Sequence, residues 1–204
     1  MNILSSSDFT EADDPFALFR LWFAEATKSE VNDPEAITLA TVDASGLPDL
    51  RAMLCKQFDE SGLVFYTNGE SAKGVELAAN PQAAALFHWK SLRRQVRLRG
   101  PVAQIPGRDS DAYFATRPRE SRIGAWASQQ SRPLESRAKL LQEAAVLALK
   151  FGFGAVPRPP YWGGYRLTPM QIEFWRDVKF RLHDRVAFTR AGEGAPWKRQ
   201  RLYP

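Results

Sequence analysis

Between Ile37 and Asn68 three β-rich runs alternate with two turn signals, and this spacing leaves the chain little choice but an antiparallel meander. The runs are ITLATV (37–42), a second from about Leu50 to Phe58, and LVFYTN (63–68). Asp43-Ala44-Ser45-Gly46 and Asp59-Glu60-Ser61-Gly62 separate them. In such turns the Asp side chain accepts from nearby backbone N–H groups, and Gly takes a positive φ without steric cost. A parallel pairing needs a crossover of a dozen or more residues, which these gaps cannot hold.

The same reading extends along the chain. Further strands are expected at Ala83–Trp89, Gln95–Ile105 (interrupted at Gly100-Pro101), Tyr165–Thr168, Gln171–Arg176, Arg185–Arg190 and Trp197–Leu202. Asp14-Pro15 opens a helix that runs to about Ser29, with Asp14 as N-cap and Pro15 in the first position. Helical spacing also marks 71–79, 108–117 and 134–150, and a Gly/Pro/aromatic loop follows at 151–165. The fold class is mainly β with attached helices (α+β), an antiparallel small β-barrel. A doubly wound parallel sheet would bring a Gly-rich phosphate loop such as GxGxxG, and none is present. Residues 1–13 are expected to form a flexible N-terminal segment, and 14–204 one domain.

Composition narrows the function. A single cysteine, Cys55, excludes an internal disulfide, and one Cys with two His (His88 and His183) does not make a structural zinc site. No apolar run is long enough to span a bilayer, and the acidic N-terminus is not a secretory signal, so a cytoplasmic protein is expected. The net charge of +5 comes without any block of five Lys or Arg. Scattered arginines among aromatics and glycines favour small anionic ligands over nucleic acid.

Three clusters carry chemistry. Arg51, Lys56, Tyr66, Thr67, Ser71 and Lys73 place cations, hydroxyls and a helix start near one another, a cradle for a phosphate monoester. Tyr113, Arg117 and Ser121 recur every four residues, although Pro118 breaks any helix through them, and Gln129, Gln130 and Ser131 follow. Trp175, Arg181, His183 and Arg185 form the third, and a strand would turn Arg181, His183 and Arg185 to one face. Surface cations at strand ends, a helix end with a polar loop, and a solvated strand face are the plain alternatives.

The runs RAMLCK (51–56), VFYTN (64–68), RQV (94–96), RPRESRIGAWAS (117–128) with Gln130-Ser131, YWGGYR (161–166), QIEFW (171–175), RLHDR (181–185) and the terminal RLYP occur in one order. In them the chain resembles the pyridoxamine 5'-phosphate oxidase family from about Asp14 to Pro204. The resemblance implies a split β-barrel and a homodimer with two flavin mononucleotide (FMN) sites at the subunit interface. It implies FMN contacts from Arg51, Ala52, Met53, Leu54, Cys55, Lys56, Tyr66, Thr67, Lys73, Gln95, Gln130, Ser131, Trp175 and Arg185. Lys56, Tyr113, Arg117 and Ser121 would hold the substrate phosphate, with Arg181 and His183 as catalytic residues against the pyridine ring. The implied reaction oxidises pyridoxamine and pyridoxine 5'-phosphates to pyridoxal 5'-phosphate with dioxygen, giving hydrogen peroxide and, from the amine, ammonia. A related split-barrel enzyme with another substrate, and a non-catalytic flavin or pyridoxal phosphate binder, are the competing readings.

The chain departs from the family's pattern at three places. Ala72 stands where the family usually has an FMN-phosphate arginine, residues 1–13 lack the family's Arg-x-x-Tyr lid, and Arg176 and Lys179 precede RLHDR.

Overall fold

The computed structural model describes residues 8–204. Ten strands form one curled antiparallel sheet. They are β1 (Ala36–Val42), β2 (Pro48–Leu54), β3 (Gln57–Asp59), β4 (Gly62–Asn68), β5 (Gln82–Trp89), β6 (Arg94–Gln104), β7 (Trp162–Leu167), β8 (Gln171–Arg176), β9 (Asp184–Thr189) and β10 (Lys198–Arg201). The helices are α1 (Pro15–Ser29), α2 (Ala72–Ala79), α3 (Gly107–Thr116), α4 (Arg119–Ala127) and α5 (Arg137–Phe151). The main strand order is β10-β9-β8-β6-β5-β1-β2, with β3, β4 and β7 off that path. This is an antiparallel split barrel with helices attached. No helix among the described residues is long and apolar enough to cross a membrane.

Alternation builds the core. Ile37 and Leu39, Val96 and Leu98, Ile172 and Phe174, and Val186 and Phe188 point to one face of the sheet and are at most 2% exposed. Helix α1 covers that face. Phe19 lies 3.9 Å from Phe58 and 5.0 Å from Phe87 between ring centroids, and Trp22 meets Phe174 edge-on at 5.3 Å. Each such side chain contributes roughly 1.5–3 kcal/mol by leaving water. Asp14 fixes where α1 begins: its Oδ1 accepts from Phe16 N–H at 2.8 Å, and Pro15 occupies the first helical position.

Four expectations are corrected. Residues 8–13 of the segment expected to be flexible are packed, while residues 1–7 lie outside the described residues. Phe9 and Ala12 are buried, and Phe9 packs on Trp22 at 4.9 Å. Acidic side chains of this stretch pair with β10: Asp8 with Arg201, Glu11 with Arg199 and Arg201, and Asp13 with Arg199. Arg176 is explained by the same packing, because its guanidinium carbon lies 5.0 Å from the Phe9 ring while it pairs with Asp184 at 2.7 Å.

The strand expected from Leu50 to Phe58 is two strands. Between them Cys55 N–H donates to Glu35 O and Lys56 N–H to Val64 O, so the backbone changes partner at this point. Conversely, Gly100-Pro101 does not interrupt β6. Residues Arg94–Arg99 pair with β8 and Val102–Gln104 with β7. Gly100 is needed where the strand switches, since a Cβ there would sit 2.0 Å from Thr168 O. Finally, Arg181 and His183 are not in a strand. Lys179–Arg181 is a 3-10 turn in which Phe180 and Arg181 both have positive φ, 58° and 62°.

Candidate active site

A cavity of about 740 Å³ opens between β2, β4, α3 and α4. Met53, Leu54, Lys56, Tyr66, Thr67, Tyr113, Arg117, Ser121 and Gln130 line it, nine of the residues that the sequence singled out. Pro118 does end α3, which closes at Thr116, and α4 restarts at Arg119. The bend still leaves Tyr113, Arg117 and Ser121 on one wall.

Arg117 dominates the electrostatics of the cavity. Its guanidinium carbon lies 4.9 Å from the Trp162 ring, and its Nη1 is buried without a hydrogen-bond partner among the described residues. Burial pushes its pKa below the usual arginine value, opposed by Tyr113. An arginine stays charged regardless. A half-buried cation with one buried, unmet donor is costly, and an anion in the cavity lowers that cost. Tyr66 and Tyr113 stack 3.9 Å apart at 15°, and Tyr66 lies 5.3 Å from Trp162 at 11°, so three near-parallel rings wall the cavity beside Arg117. Burial raises the pKa of the Tyr66 phenol, aided by Tyr113 and Asp109, which keeps it a neutral donor.

Sequence reasoning missed Trp162 and Asn68 as lining residues. The two glycines after Trp162 held the signal. A Cβ on Gly164 would lie 2.5 Å from Ile105 and 2.7 Å from Tyr66, so β7 must be bare there for the Tyr66 ring to seat.

Behind the Gln130 wall lies the second group of cations. Lys73 is 6% exposed, with Nζ 3.3 Å from Ser71 Oγ and 3.4 Å from Gln130 Oε1, to which Thr67 Oγ1 also donates at 3.3 Å. No carboxylate lies within ion-pair distance of Lys73 among the described residues. Burial lowers its pKa, reinforced by Arg51 and opposed by Glu76 and Asp49. Arg51 is held by Glu76 at 3.1 Å, by Asp49 and by the Thr41 hydroxyl. Ser131 lines a neighbouring hollow with Ala72 and Arg132, the last paired to Glu70 at 2.9 Å. Cys55 is buried, with its thiol 3.2 Å from Gln57 O and its pKa pushed up to about 12 by burial, and it packs rather than reacts.

Gln95, Trp175, Arg181, His183 and Arg185 do not line this cavity. Gln95 pairs with Trp175 and Trp175 with Arg185 in register, on the sheet face opposite the core residues Val96, Phe174 and Val186. Ala52 lies on that opposite face of β2 as well, its register partner being Thr38. His183 lies 4.7 Å from the Trp175 ring. Two groups contend for its Nδ1: Val178 N–H at 3.2 Å and Asp177 Oδ1 at 3.0 Å. An Nδ1 lone pair would accept from Val178, whereas an Nδ1–H would donate to Asp177. Arg181 is exposed. Within one chain, therefore, these five residues share no wall with the cavity.

The donor set fits a phosphorylated flavin. Lys73, Thr67 and Gln130 offer cationic and polar contacts to a phosphate without a competing carboxylate on the lysine. Trp175 and Arg185 offer a ring and a guanidinium on the outer face.

Two family models match. The one described as "Pyridoxamine 5'-phosphate oxidase" covers residues 23–150, and "Pyridoxine 5'-phosphate oxidase C-terminal dimerisation region" covers 162–204. The chain is 64% identical over 201 residues to a pyridoxine/pyridoxamine 5'-phosphate oxidase of Nitrobacter winogradskyi, covering 98% of this chain and 94% of that one. It is 60% identical over 203 residues to the protein of that name from Azorhizobium caulinodans, covering 100% and 96%. Among solved structures, PhzG from Burkholderia lata, in complex with tetrahydrophenazine-1-carboxylic acid, superposes with a TM-score of 0.88 at 33% identity, over 95% of this chain and 94% of that one. An FMN-binding protein from Nostoc punctiforme shares the fold at TM-score 0.73 and 18% identity, over 96% of this chain and 100% of that one. The chain belongs to the pyridoxamine 5'-phosphate oxidase family.

Proposed function

We propose that this protein is a homodimeric, FMN-dependent oxidase that converts pyridoxamine 5'-phosphate and pyridoxine 5'-phosphate to pyridoxal 5'-phosphate, with dioxygen as acceptor. Hydrogen peroxide is the second product, with ammonia from the amine. The observation that carries this reading is Arg117: a half-buried guanidinium whose buried Nη1 has no partner among the described residues, beside aromatic rings in a cavity that Tyr113, Ser121 and Lys56 also line.

In this reading Lys56, Tyr113, Arg117 and Ser121 bind the substrate phosphate. Arg51, Lys73, Thr67, Gln130 and Ser131 hold the cofactor phosphate, within the wider FMN set that also takes in residues 52–55 and Tyr66. Gln95, Trp175, Arg181, His183 and Arg185 come from the second copy, since none of them lines the cavity of its own chain. When bound, FMN supplies the two-electron oxidation of the substrate's 4'-carbon. The protein's part is orientation, an effect worth up to ~7–11 kcal/mol in favourable systems. His183 and Arg181 steady the pyridine ring, and the aromatic wall excludes water.

The test is direct. The purified protein is examined for a flavin spectrum, pyridoxine 5'-phosphate is added under air, and aldehyde and peroxide are followed. Equal yields of the two support the proposal. A flavin-bound protein without turnover identifies a binder, and turnover of unphosphorylated substrates only identifies a sister enzyme.

A further inference from the structure

Glu173 is a buried carboxylate that the proposed chemistry does not use. It lies in the middle of β8, is 4% exposed, and points to the outer face with Trp175 while Phe174 between them fills the core. Two arginines bracket it. Arg97, its register partner on β6, donates from Nη2 to Oε2. Arg185 on β9 donates from both Nε and Nη2 to Oε1, at 3.0 and 2.7 Å. The remaining nitrogen of Arg185, Nη1, donates to the Tyr203 carbonyl at 2.9 Å. Arg185 is therefore held along one edge by a carboxylate and at its tip by the C-terminal backbone, leaving only outward N–H groups on Nη1 and Nη2 for a ligand.

Buried ion pairs of this kind are weak sources of stability, because desolvation offsets most of the attraction. What they fix well is geometry. We propose that Glu173 is a positioning residue: it sets the Arg185 guanidinium so that its free N–H edge meets the cofactor. The inference rests on the FMN reading above. It makes a prediction of sign. If Glu173 only balanced charge, its removal would leave Arg97 and Arg185 uncompensated and draw an anionic cofactor more strongly. If it positions Arg185, its removal loosens the contact and weakens binding despite the added positive charge.

The experiment titrates FMN into apo-protein and reads the quenching of flavin fluorescence, for the native chain, Glu173→Gln, Glu173→Asp, Arg185→Ala and the double variant Glu173→Gln/Arg185→Ala. Circular dichroism checks that each is folded. Native binding with Kd raised about tenfold or more in Glu173→Gln, the loss of a charge-assisted contact, supports the inference. So does a negligible further effect of Glu173→Gln when Arg185 is already Ala, since a residue acting through another shows full coupling. Should Glu173→Gln not fold, Glu173→Asp keeps the charge but is too short to reach both arginines, and is expected to weaken FMN as well. An unchanged or lower Kd in the folded variants, or an effect that persists without Arg185, overturns the inference and leaves the FMN reading standing. A native chain that does not bind FMN overturns both.

Discussion

The guanidinium carbon of Arg117 lies 4.9 Å from the centroid of the Trp162 ring, and both residues line one cavity. Trp162 thus holds a cation that no carboxylate neutralises among the described residues. Replacing Arg117 by Met should raise KM for pyridoxine 5'-phosphate about 10–100-fold, the value of one charge-assisted contact. The thermal midpoint of the apo-protein should change little, because loss of the contact with Trp162 is offset by removal of a buried donor that has no hydrogen-bond partner. Steady-state kinetics and a thermal melt check both halves.

Ala72 opens α2 and shares a hollow with Ser131 and Arg132, next to Lys73. Ala72→Arg adds a cation at the wall of the proposed cofactor-phosphate site. FMN should bind about tenfold tighter. A fluorescence titration giving the native Kd would show that Arg132 or another cation already serves.

The N-terminal turn is tied down by charge. Burial works against ionisation of Asp8, but hydrogen bonds from Thr10 and Arg201 outweigh it and hold its carboxyl below the usual aspartate range. A depressed carboxylate stabilises above its unfolded pKa and loses that contribution as pH falls through the folded value. Docking of residues 8–13 should hold at neutral pH and weaken only below the ordinary aspartate range. The pairs are exposed, so high salt should weaken docking as well. Trp22 fluorescence, which senses Phe9, reports both effects when compared with Asp8→Asn.

Cys55 gives a second pH signature. Burial raises its thiol from 9.0 to about 12. A raised thiol favours the folded state below the unfolded value, and that contribution is lost as pH rises from 9.0 toward about 12. The native protein should resist a thiol reagent at pH 8 and react fully in urea.

Periodicity made most strands readable. Ile37, Leu39 and Thr41 alternate with exposed or half-buried neighbours, as one-sided burial requires. Asp14-Pro15 marked the start of α1 because cap and first-turn chemistry are local. Non-local features were not readable. Gly100-Pro101 looked like a break because local sequence does not say that β7 and β8 meet β6 on either side of it. Residues 8–13 looked loose because their anchors, Arg199 and Arg201, lie at the far end of the chain. In the site, Met53, Lys56, Tyr66, Tyr113, Arg117 and Gln130 converge within one chain, whereas Trp175 and Arg185 sit on the other sheet face and Arg181 and His183 lie in the turn before β9. Motif spacing does not say which of these residues share a cavity within one chain.

That division is the centre of the account, and heterodimers test it. Arg117→Met and His183→Ala chains carrying different tags are co-expressed and purified through both tags, so that each dimer holds one copy of each. Sites built across a two-fold interface leave one fully native site per heterodimer, so at substrate near the native KM oxidase activity should return to about half the native value while each homodimer stays several-fold lower or less active still. Heterodimers as inactive as their parents would mean that each site is built within one chain, and would contradict the account.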